Sequence, residues 1–514
     1  MKKTIALILM LTIALVFTAC AGTSNVPSSP MPSDIMNGEI GGEITIYTFD
    51  SILTGPFLEE AARLFMEKHS DTGVIVNVES FSSMPEVRRS EGAGGGSIMI
   101  ATAAGDPAAE RRDYINMINT ELMSGRGPDI LALDVLPFHI YAQNGHLANI
   151  REFMDADPNF NINDYRVNIF DALNTDEGQF IFPINYDFRY VAFDSSLFTE
   201  DEMIPLETDS VFSFERLIEI GRDAFHTQNE EFPLFGMSVG PQRGMFQEMF
   251  SQNYSQFIDT INREANFADG TFADMLNQLV TLEEGNYISP RVNMPTGGGG
   301  GGDAIRSLNP EDIERMMNNR FFFKPHHSSM LINEFVQRAG NGGVSLMMGM
   351  SVMGGNTEDD KIAGLMGNGH GEVPFSVSQG FGINSNSENQ RTAWEFIKFL
   401  SSDAMTYSMR VIGIPTHIGA FEERAALSIT GALFSEHLGI DTPSDEMTPE
   451  QREALEEYIA LIEYFTNQLN TFFVTDALAE EIVLNEVQEF FSGNRSAEDV
   501  ANSLQSRINL FLNE

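Results

Sequence analysis

The pattern of apolar residues between positions 42 and 78 places the strongest constraint on the fold of this chain. Residues 42–49 (GEITIYTF) alternate apolar and polar side chains and predict a β-strand. Apolar residues then recur at helical spacing from Phe57 to Phe65, and a second strand is predicted over residues 74–78. A strand, a helix and a strand in this order predict a parallel sheet with a right-handed crossover.

A third strand of the same sheet is predicted over residues 130–133, after a helix over residues 114–123. It ends at Asp134, and the first strand ends at Phe49 and Asp50. In open α/β sheets, ligands bind beyond the carboxyl ends of the strands. We therefore expect these three residues on one rim of the sheet.

Two segments have the composition of surface loops. Residues 82–112 combine Gly, Ala, Ser and mixed charge and predict an insertion. Residues 295–303 contain the six glycines 297–302. No Lys, Ser or Thr follows them directly, so a flexible loop is favoured over a phosphate-binding loop.

The N-terminus has the three parts of an export signal. Lys2 and Lys3 precede an apolar run over residues 5–17, which is too short for a permanent membrane span, and small residues follow before Cys20. This predicts a signal peptide over residues 1–19. Cys20 is the only cysteine, so an intramolecular disulfide is impossible.

The position of Cys20 resembles the bacterial lipoprotein signal, although Phe17 stands where that signal usually has Leu. The resemblance implies that Cys20 carries a diacylglyceryl group and becomes the first mature residue. Two acyl chains hold a protein stably on a membrane. Residues 20–41 are then the lipidated cysteine and a flexible tether. The alternative is an ordinary secretory signal with an accidental cysteine.

Charge limits the classes of partner. Removal of Lys2 and Lys3 takes the formal net charge from −44 to −46. Such a field repels phosphate backbones and anionic lipid head groups, so nucleic acid is not expected as a partner. The acids are scattered along the chain, which favours a role in solubility over recognition of a cationic ligand.

Five segments, in order, resemble the family 1 extracellular solute-binding proteins of ABC importers, which are mostly sugar-binding. The first is GPDILALDVLPFHIYAQNGHLANI and the second FPINYDFRYVAFDSSLF. GGVSLMMGMSVMGG and VSQGFGINSNSENQRTAWEFIKFL follow, and the chain ends with EEIVLNEVQEFFSGNRSAEDVANSLQSRINLFLNE. Their bounds are residues 127–150, 182–198, 342–355, 377–400 and 480–514.

This resemblance implies a two-lobed α/β fold of the periplasmic-binding-protein type, with crossing segments as a hinge. Lobe 1 would contain residues 42–186 and 372–412, and lobe 2 residues 187–371 and 413–514. The implied function is a lipid-anchored, monomeric receptor that delivers a polar solute, such as a sugar or oligosaccharide, to ABC permease subunits. No enzymatic activity, cofactor or metal is implied.

The resemblance also implies site residues in the first lobe and at the crossing. A carboxylate at Asp50 bridges vicinal hydroxyls, and the ring of Phe49 stacks on a sugar. The alternative for Asp50 is a cap on the following helix. Asp187, with Tyr186 beside it, matches the acid of the crossing strand. Its alternative role is that of a hinge hydrogen-bond acceptor.

For the facing wall, the resemblance implies Gln242, Arg243, Met350 and Ser351. The chain has one tryptophan, Trp394, and its helical spacing with Phe396 and Leu400 predicts the core. Aromatic stacking is therefore expected from one of four other side chains, Phe49, Phe138, Tyr186 or Phe188. The alternative is that the ligand is not a classical oligosaccharide.

Catalytic and metal-binding patterns are weak. The sequence has no GxSxG, P-loop or HExxH motif. Adjacent His326 and His327 do not share a helical face, and residues 155–164 fit an Asx-rich turn better than a calcium loop. Two alternatives stay open: a ligand sensor for a membrane kinase, and an extracellular carbohydrate-active hydrolase or adhesin.

Overall fold

A computed structural model describes most of the chain from residue 35 onward. The described residues are 35–83, 86–91, 97–102, 107–175, 177–228, 233–235, 241–260, 262–285, 287–288, 321–340, 359–402, 408, 411, 413–433, 447–473 and 476–513. Cys20 and the glycine loop 295–303 lie outside these residues. Within them, the helices are too short or too polar to cross a membrane.

The described residues contain sixteen strands, numbered β1 to β16 in chain order. They are β1 Glu43–Thr48, β2 Ile75–Ser80, β3 Glu86–Glu91, β4 Ser97–Thr102, β5 Ile130–Ala132, β6 Phe182–Pro183, β7 Asn185–Asp194, β8 Val211–Phe212, β9 Ile258–Asp259, β10 Glu264–Ala265, β11 Phe323–His327, β12 Asp360–Met366, β13 Pro374–Ser376, β14 Gly380–Ile383, β15 Ile414–Pro415 and β16 Thr471–Phe472.

The α-helices are numbered in the same way. They are α1 Thr54–Lys68, α2 Pro107–Met123, α3 Phe138–Gln143, α4 Ile150–Ala156, α5 Val167–Ala172, α6 Glu200–Thr208, α7 Phe214–Gln228, α8 Pro241–Gln252, α9 Tyr254–Phe257, α10 Thr271–Glu284, α11 Leu331–Arg338, α12 Gln390–Leu400, α13 Ile418–Thr430, α14 Pro449–Thr466, α15 Ala477–Phe491 and α16 Ala497–Asn513.

The first sheet has the order β2-β1-β5-β14-β6. β1 is parallel to β2 and β5, and β14 is antiparallel to β5 and β6. The predicted β-α-β unit is thereby confirmed, and Gly380–Ile383 returns from later in the chain to complete the sheet. The parallel strands β1 and β5 end at the same edge, which carries Phe49 and Asp134.

The helices α1 and α12 cover one face of the first sheet. Phe65 of α1 packs edge-on against Phe396 of α12, with ring centroids 5.2 Å apart. Trp394 is fully buried, and its indole N–H donates to the Asp157 carboxylate at 2.9 Å. Lys398 also donates to Asp157. The only tryptophan is therefore a core residue, as predicted.

The second sheet is built around the long strand β7. β13, β12, β11 and β15 all pair with it in antiparallel orientation. Lys324 and Asp360, from the two strands that flank the far half of β7, form a buried ion pair at 2.6 Å. A phenylalanine-rich core lies behind this sheet, between α7, α8, α10, α15 and α16.

The chain crosses between the two sheets near residue 184, where β6 gives way to β7, and again between β13 and β14. A shared core follows the crossing, because alternate side chains of β7 (Tyr186, Phe188 and Tyr190) pack with residues of both lobes. The lobe boundaries at residues 186 and 372 stay a prediction.

The interpretation of residues 82–112 as an irregular loop is wrong in part. β3 and β4 form an antiparallel hairpin with register from Glu86↔Thr102 to Glu91↔Ser97, and α2 begins at Pro107. Glu86–Glu91 (EVRRSE) is almost entirely polar, so the hairpin has no alternating pattern on that side. Pro107 is suited to the first helical position because its missing N–H would have no intrahelical partner there.

Candidate functional site

The exit of β1 holds a carboxylate whose hydrogen bonds are directed at the next helix. The Asp50 carboxylate accepts hydrogen bonds from the backbone N–H groups of Ile52 at 2.7 Å, Leu53 at 3.2 Å and Thr54 at 2.9 Å. These donors precede α1 or open it, so Asp50 compensates the positive end of the helix dipole. The capping alternative is confirmed, and contact with a solute stays a prediction.

Asp134 at the exit of β5 lies close enough to Asp50 for their charges to interact. Part of the Asp134 residue is exposed at the surface. Many protein atoms nevertheless surround its carboxylate and reduce the hydration of the charged form. This desolvation, reinforced by the Asp50 carboxylate, raises the pKa of Asp134 to about 6. Backbone N–H groups and Arg111 of α2 only partly oppose the shift. Asp50 and Asp134 therefore share one rim, as predicted.

Aromatic rings pack together at the same rim, and Phe49, a predicted stacking residue, is itself only 9% exposed. The ring of Tyr114 lies 5.5 Å from that of Phe49 and 5.1 Å from that of Phe81, and Tyr47 lies 5.0 Å from Phe81. Tyr114 is 3% exposed, and its hydroxyl has no hydrogen-bond partner among the described residues. Burial, followed by the charge of Asp134, raises the pKa of Tyr114 well above its usual value.

The start of α2 is held against this rim. The Glu110 carboxylate accepts hydrogen bonds from the backbone N–H of Ser83 at 2.9 Å and from the Ser83 hydroxyl at 2.6 Å. Because Ser83 follows β2, this contact ties α2 to the exit of the neighbouring strand. Arg111 and Tyr114 are thereby positioned beside Asp134.

The crossing strand places its two predicted residues in different surroundings. Tyr186 is fully buried, and its hydroxyl forms a 2.6 Å hydrogen bond with the Thr466 hydroxyl. Burial raises the pKa of Tyr186 to about 12. In this conformation the Tyr186 ring faces the shared core, so stacking on a solute would require it to leave that core.

Asp187 is 6% exposed and joins three segments of the hinge. Its carboxylate accepts hydrogen bonds from the hydroxyls of Ser328 at 2.9 Å and Ser378 at 2.8 Å. Gly413 packs so closely that an added Cβ atom would lie 2.5 Å from an Asp187 oxygen. Burial raises the pKa of Asp187, and the two hydroxyls only partly counter it. The geometry is that of a hinge acceptor.

A second charged pair follows along β7. Arg189 forms an ion pair with Glu248 of α8 at 2.7 Å. Burial lowers the pKa of Arg189, and Glu248 and Asp187 oppose this shift. Burial, with the charge of Arg189 contributing, also lowers the pKa of His327 to about 4. The neutral histidine and the paired arginine extend the polar surface from the hinge towards α8.

The remaining predicted residues are less defined. Gln242 and Arg243 lie in the first turn of α8, at the opposite end from Gln252, and their side chains are outside the described part of the structure. Met350 and Ser351 also lie outside the described residues. For these four residues, contact with a solute stays a prediction.

A contact between the lobes lies next to the rim. Arg112 of α2 pairs with Glu481 of α15 at 2.6 Å. One residue earlier in each helix, the charge of Arg111 lowers the pKa of Glu480, but burial dominates and raises that pKa to about 6. The sequence prediction missed Arg111, Arg112, Glu480 and Glu481, because a contact over 369 positions leaves no local pattern.

A separate groove of about 610 Å³ opens beside the second sheet, where Phe257, Asp269, His370 and Glu372 are among its lining residues. None of the predicted site residues lines it. A ligand in this groove would touch no strand of the first sheet, so its binding would have no direct link to movement of one sheet relative to the other. The interlobe rim is therefore the better candidate for a solute site.

Comparison with solved structures supports this architecture. A family 1 extracellular solute-binding protein from Alicyclobacillus acidocaldarius superposes on this structure with a TM-score of 0.51. The sequence identity is 14%, and the alignment covers 93% of this chain and 100% of that chain. The chain has the two-lobed solute-binding-protein fold. The sugar-binding protein MalE from Xanthomonas citri gives the same TM-score at 13% identity, over 92% of this chain and 98% of that one.

The similarity is one of fold. No family model matches the chain, and no curated protein matches it in sequence. The predicted fold class is confirmed. In this fold, the surfaces of the two lobes face each other across the space between them.

Proposed function

We propose that this protein is an extracytoplasmic receptor that captures a polar solute of the carbohydrate class between its two lobes. It delivers the solute to the permease of an ABC importer and performs no chemistry on it. The permease recognises the receptor in its closed state.

The observation that carries the proposal is the geometry of the interlobe rim. The exits of β1 and β5 present Asp50 and Asp134 beside the aromatic rings of Phe49, Phe81 and Tyr114. Carboxylates accept hydrogen bonds from solute hydroxyls, and an aromatic face stacks on a sugar ring. Phe49 and Tyr114 are buried, so the half-buried ring of Phe81 is the stacking face in this conformation. A surface of carboxylates and one ring face suits a polar molecule with apolar ring faces.

The second lobe can contribute from two sides. The α15 helix reaches the rim through the Arg112–Glu481 pair. Arg189 and Glu248 lead from the hinge to α8, whose first turn carries the predicted contacts Gln242 and Arg243. A solute that touches both lobes stabilises the closed state by its difference in affinity for the two states.

The similarity to the Xanthomonas citri protein, which is a sugar-binding protein, supports the carbohydrate class. The name of the Alicyclobacillus protein supports the role in extracellular solute binding. Neither relative is an enzyme by its description, which fits a receptor without catalytic residues.

The membrane anchor is a separate part of the proposal. Cys20 follows the predicted export signal, and its acylation would hold the receptor on the outer face of the cell membrane. The tether over residues 20–41 would leave the folded part free to meet its permease as a monomer.

A thermal-shift screen of the mature chain tests the proposal. The panel contains neutral oligosaccharides, amino sugars, polyols and peptides. A solute at 100 times its dissociation constant stabilises by about 2.7 kcal/mol, so a true ligand raises the melting temperature measurably. The Asp71→Asn variant is the control, because Asp71 is exposed at the opposite edge of the first sheet. Stabilisation by peptides alone would contradict the carbohydrate class.

A further inference from the structure

The charges at the interlobe rim do not balance. Lobe 1 contributes the Asp50 and Asp134 carboxylates, and Glu480 of α15 faces the same arginine from lobe 2. Arg111 is the cation that interacts with both Asp134 and Glu480. Among the side chains that the structure describes, these three carboxylates and one guanidinium leave two negative charges.

The nearby ion pair does not supply the missing positive charge. Arg112 is already engaged with Glu481 at 2.6 Å. The groups that bind Asp50 are neutral backbone N–H groups. Asp476, whose carboxylate caps α15, adds negative charge beside Glu480.

Tyr114 gives an independent indication that a ligand belongs here. It is 3% exposed, and its hydroxyl has no hydrogen-bond partner among the described residues. Its ring lies 5.5 Å from that of Phe49, the neighbour of Asp50, and the charge of Asp134 contributes to raising the pKa of Tyr114. A buried hydroxyl normally finds a partner, and a bound solute would provide one.

Of the three packed rings at the rim, that of Phe81 is half-buried, whereas Phe49 and Tyr114 are 9% and 3% exposed. The ring of Phe81 lies 5.1 Å from that of Tyr114. The face of an aromatic ring attracts an ammonium group through its quadrupole. Carboxylates beside the Phe81 ring therefore recognise an organic cation better than a neutral hydroxyl.

We infer that Asp134, Tyr114 and the neighbouring Asp50 form a subsite for a protonated amine, so that the captured solute is an amine-bearing carbohydrate. This inference rests on the proposed function, since it names the class of solute held at the same interlobe site. The amine donates to the carboxylates, and the Tyr114 hydroxyl donates to an oxygen of the solute.

A proton linkage follows from these contacts. Desolvation and the charge of Asp50 raise the pKa of Asp134 to about 6, while Arg111 opposes the shift. A bound ammonium group would lower that pKa again and expel the proton. Affinity for an amine should therefore rise as the pH increases from about 5 and level off towards pH 7, where the amine of an amino sugar begins to lose its own proton.

The test compares three disaccharides with one framework: cellobiose with hydroxyl groups, N,N′-diacetylchitobiose with acetylated amines, and chitobiose with free amines. Calorimetric titration of the mature wild-type chain measures each affinity. We expect chitobiose to bind at least tenfold more tightly than either neutral partner. Spermidine is included to show whether an amine without a sugar framework is sufficient.

Variants identify the subsite. Asp134→Asn should remove the preference for chitobiose and the rise in affinity with pH, whereas Asp71→Asn should leave both unchanged. Folding is preserved in Asp134→Asn, because the variant removes a carboxylate that the folded state desolvates. Tyr114→Phe should weaken binding of chitobiose without lowering the melting temperature of the free protein.

The outcomes separate the two proposals. Equal or tighter binding of cellobiose, or an unchanged preference in Asp134→Asn, would overturn the amine subsite and leave the receptor function intact. Binding of spermidine alone would support the amine subsite and contradict the carbohydrate class. If none of the four probes binds the wild type, the amine subsite is overturned; the receptor function then depends on the wider thermal-shift panel.

Discussion

Replacement of the hinge carboxylate Asp187 should destabilise the protein whether or not a solute is present. Asp187→Ala leaves the hydroxyls of Ser328 and Ser378 without their acceptor at a buried position. Each unsatisfied group costs about 1 to 3 kcal/mol, and the ionised acceptor was itself costly to bury. We expect a net loss of about 2 to 5 kcal/mol.

The loss can be converted into a melting temperature. At about 2.1 cal/mol/K per residue, a folded part of about 470 residues unfolds with an entropy of about 1 kcal/mol/K. Asp187→Ala should therefore lower the melting temperature by about 2 to 5 °C in differential scanning calorimetry. Asp187→Asn keeps one acceptor oxygen and buries no charge, so its loss should be smaller, about 1 °C.

The pH dependence gives a second readout for Asp187. Folding raises its pKa, so the group favours the folded state below its unfolded pKa of about 3.9. That contribution is lost as the pH rises through the folded pKa. It should be absent in Asp187→Asn. Asp171→Ala, at an acid that is 64% exposed, is the control and should change the melting temperature little. An Asp187→Ala variant as stable as the wild type would refute the hinge role.

Three further predictions concern other parts of the chain. Glu481→Gln breaks a half-exposed pair with Arg112 worth about 0.2 to 1 kcal/mol, so solute affinity should fall about 1.4-fold to fivefold in low salt and less in high salt. Asp157→Asn should destabilise by about 1 to 3 kcal/mol at neutral pH because Lys398 loses a charged acceptor, although the amide oxygen can still accept from the Trp394 N–H and Glu395 still pairs with Lys398 at 3.0 Å. Cys20→Ser should leave the chain unlipidated, either released or with its signal uncleaved, as mass spectrometry of the membrane fraction would show.

Each of these results has a contrary outcome. A Glu481→Gln variant that loses more than tenfold in affinity would show a direct solute contact; Arg63→Gln breaks an exposed pair within α1 and is its control. Burial tends to raise the pKa of Asp157, but hydrogen bonds, first from Lys398, lower it overall. Its stabilisation is present above about pH 4 and lost in acid, so a deficit that persists there would contradict this origin. A normally processed, unmodified mature chain would exclude the lipoprotein anchor.

The order of strands in the first lobe follows from local patterns. Alternation in GEITIYTF, helical spacing from Phe57 to Phe65 and the buried run at Ile130 are enough to place β1, α1 and β5 in one parallel sheet. The burial of Trp394 follows from its spacing in α12. These features depend on near neighbours in the chain, so the sequence shows them directly.

The hairpin of β3 and β4 shows where local patterns fail. One of its strands is almost entirely polar, so its sequence shows no alternation of apolar and polar residues. The strand forms through pairing with its partner strand. The start of α2 was missed for the same reason, since Pro107 and the charged residues after it resemble a loop in composition.

The site depends on contacts between distant positions. The rim shared by Asp50 and Asp134 could be predicted because parallel strands end at the same edge. The bond from Tyr186 to Thr466 could not, because it spans 280 positions and turns the ring into the core. The contact between α2 and α15 likewise depends on how the two lobes pack together, so it could not be predicted from the sequence.

The most direct test of the central claim is to lock the lobes together. In a Cys20→Ser background, Arg112→Cys and Glu481→Cys introduce the chain's only two thiols across the interlobe contact, and a short bismaleimide joins them. The measurement is the rate at which the solute identified by the screen enters and leaves. If the solute binds between the lobes, joining the empty protein should block uptake, and joining the loaded protein should trap the solute. Unchanged rates of entry and release in the joined protein would contradict a site between the lobes.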